Sequence, residues 1–128
     1  MSIKKLKDQF DRNLANAQAV LKQHAEAVLQ HPTSAMQWSG KAFNAAAVIE
    51  VCTPLRAALE ARAAAPVDTV LRDLRNHTRN RLVSEGSITE AGAGAHGLYR
   101  HALVAELARV TKLFDDIDEF GLNSVMFN

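Results

Sequence analysis

The sequence predicts an all-α protein, an up-down four-helix bundle. Three observations carry that prediction. Apolar residues recur at three- and four-residue steps along most of the chain, the spacing that gathers them on one helical face. Pro32, Pro66, Gly86 and Gly121 punctuate that spacing, and helices begin or end at such residues. No run reads as a strand. Four helices with short joints pack as antiparallel neighbours.

The first helix is expected over residues 3–31. Ile3, Leu6, Phe10, Leu14, Ala17, Leu21, Ala25 and Val28 form its apolar face, and Lys and Gln fill much of the other. Pro32 stops it, because proline lacks the N–H and its ring clashes with the preceding turn.

The second helix is expected over 35–65. Ser34 and Gln37 form a capping box, hydroxyl to early backbone N–H and amide back to the cap. Pro54 falls inside, which predicts a kink near residues 50–53 rather than a break. This helix carries two apolar stripes. One is Trp38, Ala42, Ala45 and Ile49; the other is Val48, Val51, Leu55 and Leu59. A helix apolar around so much of its circumference must be covered on more than one side. The expectation is a homodimer or larger oligomer with this helix in the contact. Its candidate residues are Val48, Val51, Leu55 and Leu59, or else Trp38 and Ile49.

The third helix is expected over 66–85, with Pro66 in its first turn, Asp68 complementing the positive end of its dipole, and Gly86 as its stop. Val67, Val70, Leu71, Leu74, Thr78 and Leu82 face inward. The fourth is expected over 89–120, ending at Gly121, with Leu103, Leu107, Val110, Leu113, Phe114, Ile117 and Phe120 on its apolar face. Residues 122–128 form a short apolar tail, whose Val125, Met126 and Phe127 suit a crossing onto a neighbouring subunit.

Composition sets bounds. The chain has 128 residues, 48% of them hydrophobic and 23% charged, with a formal net charge of +1. It is long enough for one domain with a real core. A charge near zero provides no overall field toward nucleic acid or an anionic membrane. The single Cys52, in the apolar run VIEVC, reads as a small buried hydrophobe. The N-terminal MSIKKLKDQF lacks the apolar core of a secretory signal, and no membrane span is read, so a cytoplasmic setting is expected.

The stretch AGAGAHG contains Gly92-x-Gly94-x-x-Gly97, the pattern of a dinucleotide-binding loop. The pattern needs a buried strand before it, a helix starting at its last glycine, and an acidic residue ending a second strand about 20 positions on. LVSEGSITEA is not a buried strand, and Asp116 lies inside a helix. The glycines therefore read as architecture. Either 87–97 is a connection, or the helix starts near Thr89 from a capping box at Ser87 and Glu90 and frays around 94–97. Three glycines inside a helix cost about 3 kcal/mol relative to alanine, which close packing on the Ala-rich second helix would offset.

The sharpest candidate for chemistry is RDLRNHTRNRL. Arg72, Arg75 and Arg79 fall on one helical face, with Arg81 and His77 beside it. That spacing suits a phosphate backbone, with Asn76 or Asn80 reaching a base edge, or else an acidic protein surface or a small anion. Asp73 partly neutralises the stripe, and the alternative is a solvated helix face. The five histidines show no ligand spacing, and no pair of Glu-x-x-His motifs occurs, so neither metal nor cofactor is expected. His24 reads as a half-buried, hydrogen-bonded side chain. No catalytic constellation is present. Lys4, Lys5 and Lys7 open the first helix, and Asp115, Asp116, Asp118 and Glu119 close the fourth, each with the wrong sign for its own dipole. An up-down bundle sets these two ends side by side, so ion pairs between them are expected.

The function that follows is a non-enzymatic interaction or adaptor bundle that self-associates. The alternative is nucleic-acid binding or regulation through the arginine stripe. A third reading is a small-ligand bundle with a pocket near Trp38 and Pro54.

Overall fold

A computed structural model of the chain describes residues 3–86 and 95–122, without the side chains of 34–39, 95 and 96. Helix α1 spans Ile3–Gln30, a short 3-10 turn Pro32–Ser34, α2 Ala35–Ala61, α3 Val67–Gly86 and α4 Ala95–Phe120. No strand occurs among the described residues. The four helices form a bundle. The side chains of the Ser34 and Gln37 capping box and of Trp38, the Ser87 and Glu90 box, Gly92, Gly94 and the tail 123–128 lie outside the described residues.

Ion pairs set the directions. Lys7 Nζ meets Glu60 Oε2 at 3.0 Å and Arg56 Nε meets Asp11 Oδ1 at 2.7 Å, so α1 and α2 run antiparallel. Arg75 meets Asp118 and Arg100 meets Glu85, so α3 and α4 do the same. The closest backbone approaches join α1 to α2, α2 to α4, and α4 to α3. Small buried side chains on the central pair, Ala47 and Ala102 among them, permit that approach. Helices α1 and α4 meet instead through the rings of Phe10 and Phe114, whose centroids lie 6.4 Å apart.

The core gathers Leu6 and Phe10 of α1, Val51, Leu55 and Leu59 of α2, Val70 and Leu74 of α3, and Leu107, Val110 and Phe114 of α4. It lies toward one end of the α1–α2 hairpin. Leu6, Gln9 and Phe10 are buried toward the N-terminal side of α1, and Ala17 near its middle. From Gln18 to Gln30 every α1 residue is half-buried or exposed. The buried hydroxyls of Thr78 and Thr111 are satisfied by the carbonyls of Leu74 and Leu107, at 2.8 and 2.7 Å.

Several expectations need correction. Helix α2 ends at Ala61, four residues short of 65, because the chain turns through Arg62–Ala65 before Pro66, where the pre-proline position disfavours helix. Pro66 precedes α3 rather than lying within it, and its carbonyl accepts from Val70 N at 3.1 Å. Helix α2 runs unbroken through Pro54, and the expected kink is not confirmed. Pro54 is exposed, so water can reach the carbonyl it frees. The described part of α4 begins at Ala95, and Gly97 is helical and buried. The end of α4 matches its expectation: Gly121 has φ 88° and its N–H donates to Ile117 O at 2.8 Å, a left-handed glycine stop. The expected ion pairing between the ends of α1 and α4 is not made by Lys4, Lys7, Asp115, Asp116 or Asp118. Lys4 pairs with Asp8, Lys7 with Glu60, Lys112 with Asp116, and Asp115 and Asp118 with α3. Contact between α1 and α4 through large rings sets their surfaces apart, and nearer partners take the charges.

Candidate functional site

The arginine stripe on α3 is largely consumed inside the molecule. Arg75 donates to Asp115 Oδ1 at 2.7 Å and meets Asp118 Oδ2 at 3.1 Å. Arg79 reaches the same Asp115 oxygen at 2.8 Å. The hydrogen bond to Asp115 raises the Arg75 pKa. Arg81 turns the other way, to Glu50 Oε1 of α2 at 2.9 Å. Arg72 alone of the four makes no ion pair among the described residues, and it is exposed. The structure thus splits the set: Arg75 and Arg79 converge on α4, Arg81 braces α2, and Arg72 stands apart. His77 is exposed beside them.

The apolar stripe proposed for self-association is divided as well. Val51, Leu55 and Leu59 are 1%, 2% and 0% exposed within a single chain. They belong to its own core and offer no surface, because α4 and α1 cover that side of α2. Val48 is half-buried. Of the other stripe, Ala45 is buried at 5% exposure and Ala42 and Ile49 are half-buried; beside them Ala46 is half-buried while Thr53 and Ala57 are exposed. The less covered side of α2 is therefore the arc of Ala42, Ala46, Ile49, Thr53 and Ala57.

One buried polar unit was not singled out from the sequence. Glu106 is buried on the inward stripe of α4, one turn from Leu103 and Val110. Arg109 donates to its carboxylate through Nε at 2.6 Å. Cys52 of α2 lies against this pair. Burial pushes its thiol up to about 12, and the Glu106 carboxylate adds to the rise while Arg109 opposes it. Such a thiol stays protonated and unreactive at neutral pH. The signal was legible: Glu106 and Arg109 stand three apart, and Glu106 interrupts the apolar face of LVAELARV.

Beside this unit the upper half of the α1–α2 hairpin opens into a groove of about 450 Å³. Ala17 and Val20 of α1, with Ala45 and Val48 of α2, supply apolar surface. Three carboxamides, Asn13, Asn16 and Asn44, line it, and so do the cations Lys41 and Arg109. No carboxylate lines it. Asn13 accepts from Gln9 Nε2 at 2.9 Å, whereas Asn16 and Asn44 make no hydrogen bond through their amides among the described residues. The groove lies on the Lys41–Val48 segment of α2, away from Pro54; Trp38 lies outside the described side chains. A second cavity of about 420 Å³ lies between the start of α3 and the end of α4, where Arg72 and Arg75 face Asp68 and Asp118 in equal number.

His24 is half-buried as expected, but its Nδ1 is buried with no hydrogen-bond partner among the described residues. No cluster of metal-ligating side chains occurs among the described residues. Comparison with protein-family models, with curated proteins and with solved structures finds no match.

Proposed function

We propose that this chain is a non-enzymatic helical-bundle interaction protein that associates with itself through the outer side of α2. One observation carries the reading. Within Gly40–Ala61, an 18-residue window has a mean hydropathy of 1.3, long and apolar enough by composition to cross a membrane, yet only 33% of that window is buried within the chain. The segment's less covered side runs along the half-buried Ala42, Ala46 and Ile49 and the exposed Thr53 and Ala57, and a largely apolar surface of this kind suits an interface. A two-fold pairing of α2 with its copy covers it on both subunits at once. The setting proposed is the cytoplasm, where the free Cys52 stays reduced. Nucleic-acid binding has less support, since Arg75, Arg79 and Arg81 are already paired with acids.

Light scattering tests this reading. At ~10–100 μM, a stable interface of ~800 Å² per subunit gives twice the chain mass of 14.0 kDa. Ala57→Glu, at an exposed helical position, returns the mass to 14.0 kDa with helicity unchanged. A parent that scatters as a single chain throughout that range overturns the proposal.

A further inference from the structure

We infer that the groove between α1, α2 and Arg109 is a binding site for a small amphipathic acid, an apolar body carrying one carboxylate. The site is separate from the proposed self-association side. Lys41, Asn44, Ala45 and Val48 lie on a different arc of α2 from Ala46, Thr53 and Ala57.

Size and surface come first. The groove's roughly 450 Å³ falls within the ~300–1,000 Å³ typical of small-molecule sites. Val20 and Val48 are half-buried walls, and Ala17 and Ala45, both 5% exposed, form the floor. Small floor residues leave depth that larger ones would fill. Such a surface takes an alkyl or aryl group.

Charge then selects the head group. Lys41 and Arg109 line the groove and no carboxylate does. Glu106 sits behind Arg109 and balances its charge, but not its hydrogen-bonding capacity. A guanidinium has five N–H donors, and a carboxylate behind it engages only one edge. The Arg109 side chain is 47% exposed, so donors remain open to the groove while Glu106 fixes their orientation. That is a preorganised donor, whose rotamer is set before a ligand arrives. Lys41 is a second cationic side chain on the lining. The exposed amides of Asn16 and Asn44 offer further donors. The lining offers an anion cationic and amide donors from three helices, and no carboxylate opposes it.

Octanoate, 1-octanol and sulfate are the probes that separate the contributions, read by the side-chain amide resonances of Asn16 and Asn44. Octanoate shifts both saturably and binds roughly tenfold tighter than octanol, the difference of one charge-assisted contact. Asn44→Asp, an isosteric change at an exposed position, weakens octanoate about tenfold and leaves octanol and the helical signal unchanged. Lys41→Gln weakens octanoate in the same sense. Equal affinity for octanoate and octanol overturns the proposal, as does an Asn44→Asp variant that binds octanoate like the parent. Sulfate shifting the same resonances as strongly overturns it too, because the apolar surface would then contribute nothing. So does sedimentation with phosphatidylglycerol vesicles in the absence of octanoate binding. None of these readings depends on the mass of the particle.

Discussion

The two ends of the α1–α2 hairpin are built from similar residues and have different fates. At one end Leu6 and Phe10 face Leu55 and Leu59, and α3 and α4 close over them until all four are at most 2% exposed. At the other end Val20, Leu21 and Val28 stay half-buried, and Leu29 is 83% exposed. The apolar spacing is continuous along α1, so spacing does not separate the ends. Coverage does. The buried residues of α3, Val70, Leu74 and Thr78, lie toward its N-terminal side, which packs on the closed end. The closed end holds the molecule together. The open end supplies the groove, while the less covered side of α2 runs along the hairpin from Ala42 to Ala57.

The strongest challenge to this division is Phe10→Ala. Phe10 is fully buried and its ring meets Phe114. Removing it is expected to cost about 3–5 kcal/mol, seen as a lower urea midpoint with an unchanged slope. A cost below ~1 kcal/mol would mean that the closed end is not the core.

A middle-sized effect is expected from Cys52. Its unfolded thiol titrates near 9.0 and its folded thiol near 12. Between those values the unfolded chain has lost a proton that the folded chain keeps, so the folded state loses stability as pH rises. The contribution is intact below pH 9.0 and declines by about 1.4 kcal/mol per pH unit above it. Urea midpoints of the parent should therefore fall more steeply between pH 9 and 10.5 than those of Cys52→Ala. Parallel slopes would show that the thiol is not sealed between Glu106 and the core.

The smallest effect belongs to the open end. Leu29→Lys should change stability by no more than ~0.5 kcal/mol, since that side chain is already in water in a single chain. A loss above 1 kcal/mol in equilibrium unfolding would reveal that something covers Leu29.

The arginine stripe teaches a related lesson. From the sequence, Arg72, Arg75 and Arg79 share one face, and that face was free to read as a phosphate track. The end of α4 carries the acids that neutralise it, but their sequence separation hid the match. Asp115 lies 40 positions from Arg75. Each such pair contributes only ~0.2–1 kcal/mol at an exposed site, yet together they decide whether the surface is cationic.

Helical periodicity, the stops at Pro32, Gly86 and Gly121, the start of the third helix beside Pro66, and the absence of a strand signal were local properties. The chain's own sequence therefore determined the number of helices, most of their ends and the all-α class. Glu106 was visible too, as a charge on an apolar stripe. Which side of α2 would be covered was not visible, because both of its stripes have the same spacing. That choice came from the close approaches of α4 and α1 to α2, which bury Val51, Leu55 and Leu59, while Ala42 and Ile49 stay half-buried and Ala57 exposed. The groove was equally hidden. It joins Asn13 and Ala17 to Val48 and Arg109 across three helices, and side chains so far apart in sequence acquire a common ligand chemistry only when packing sets them side by side.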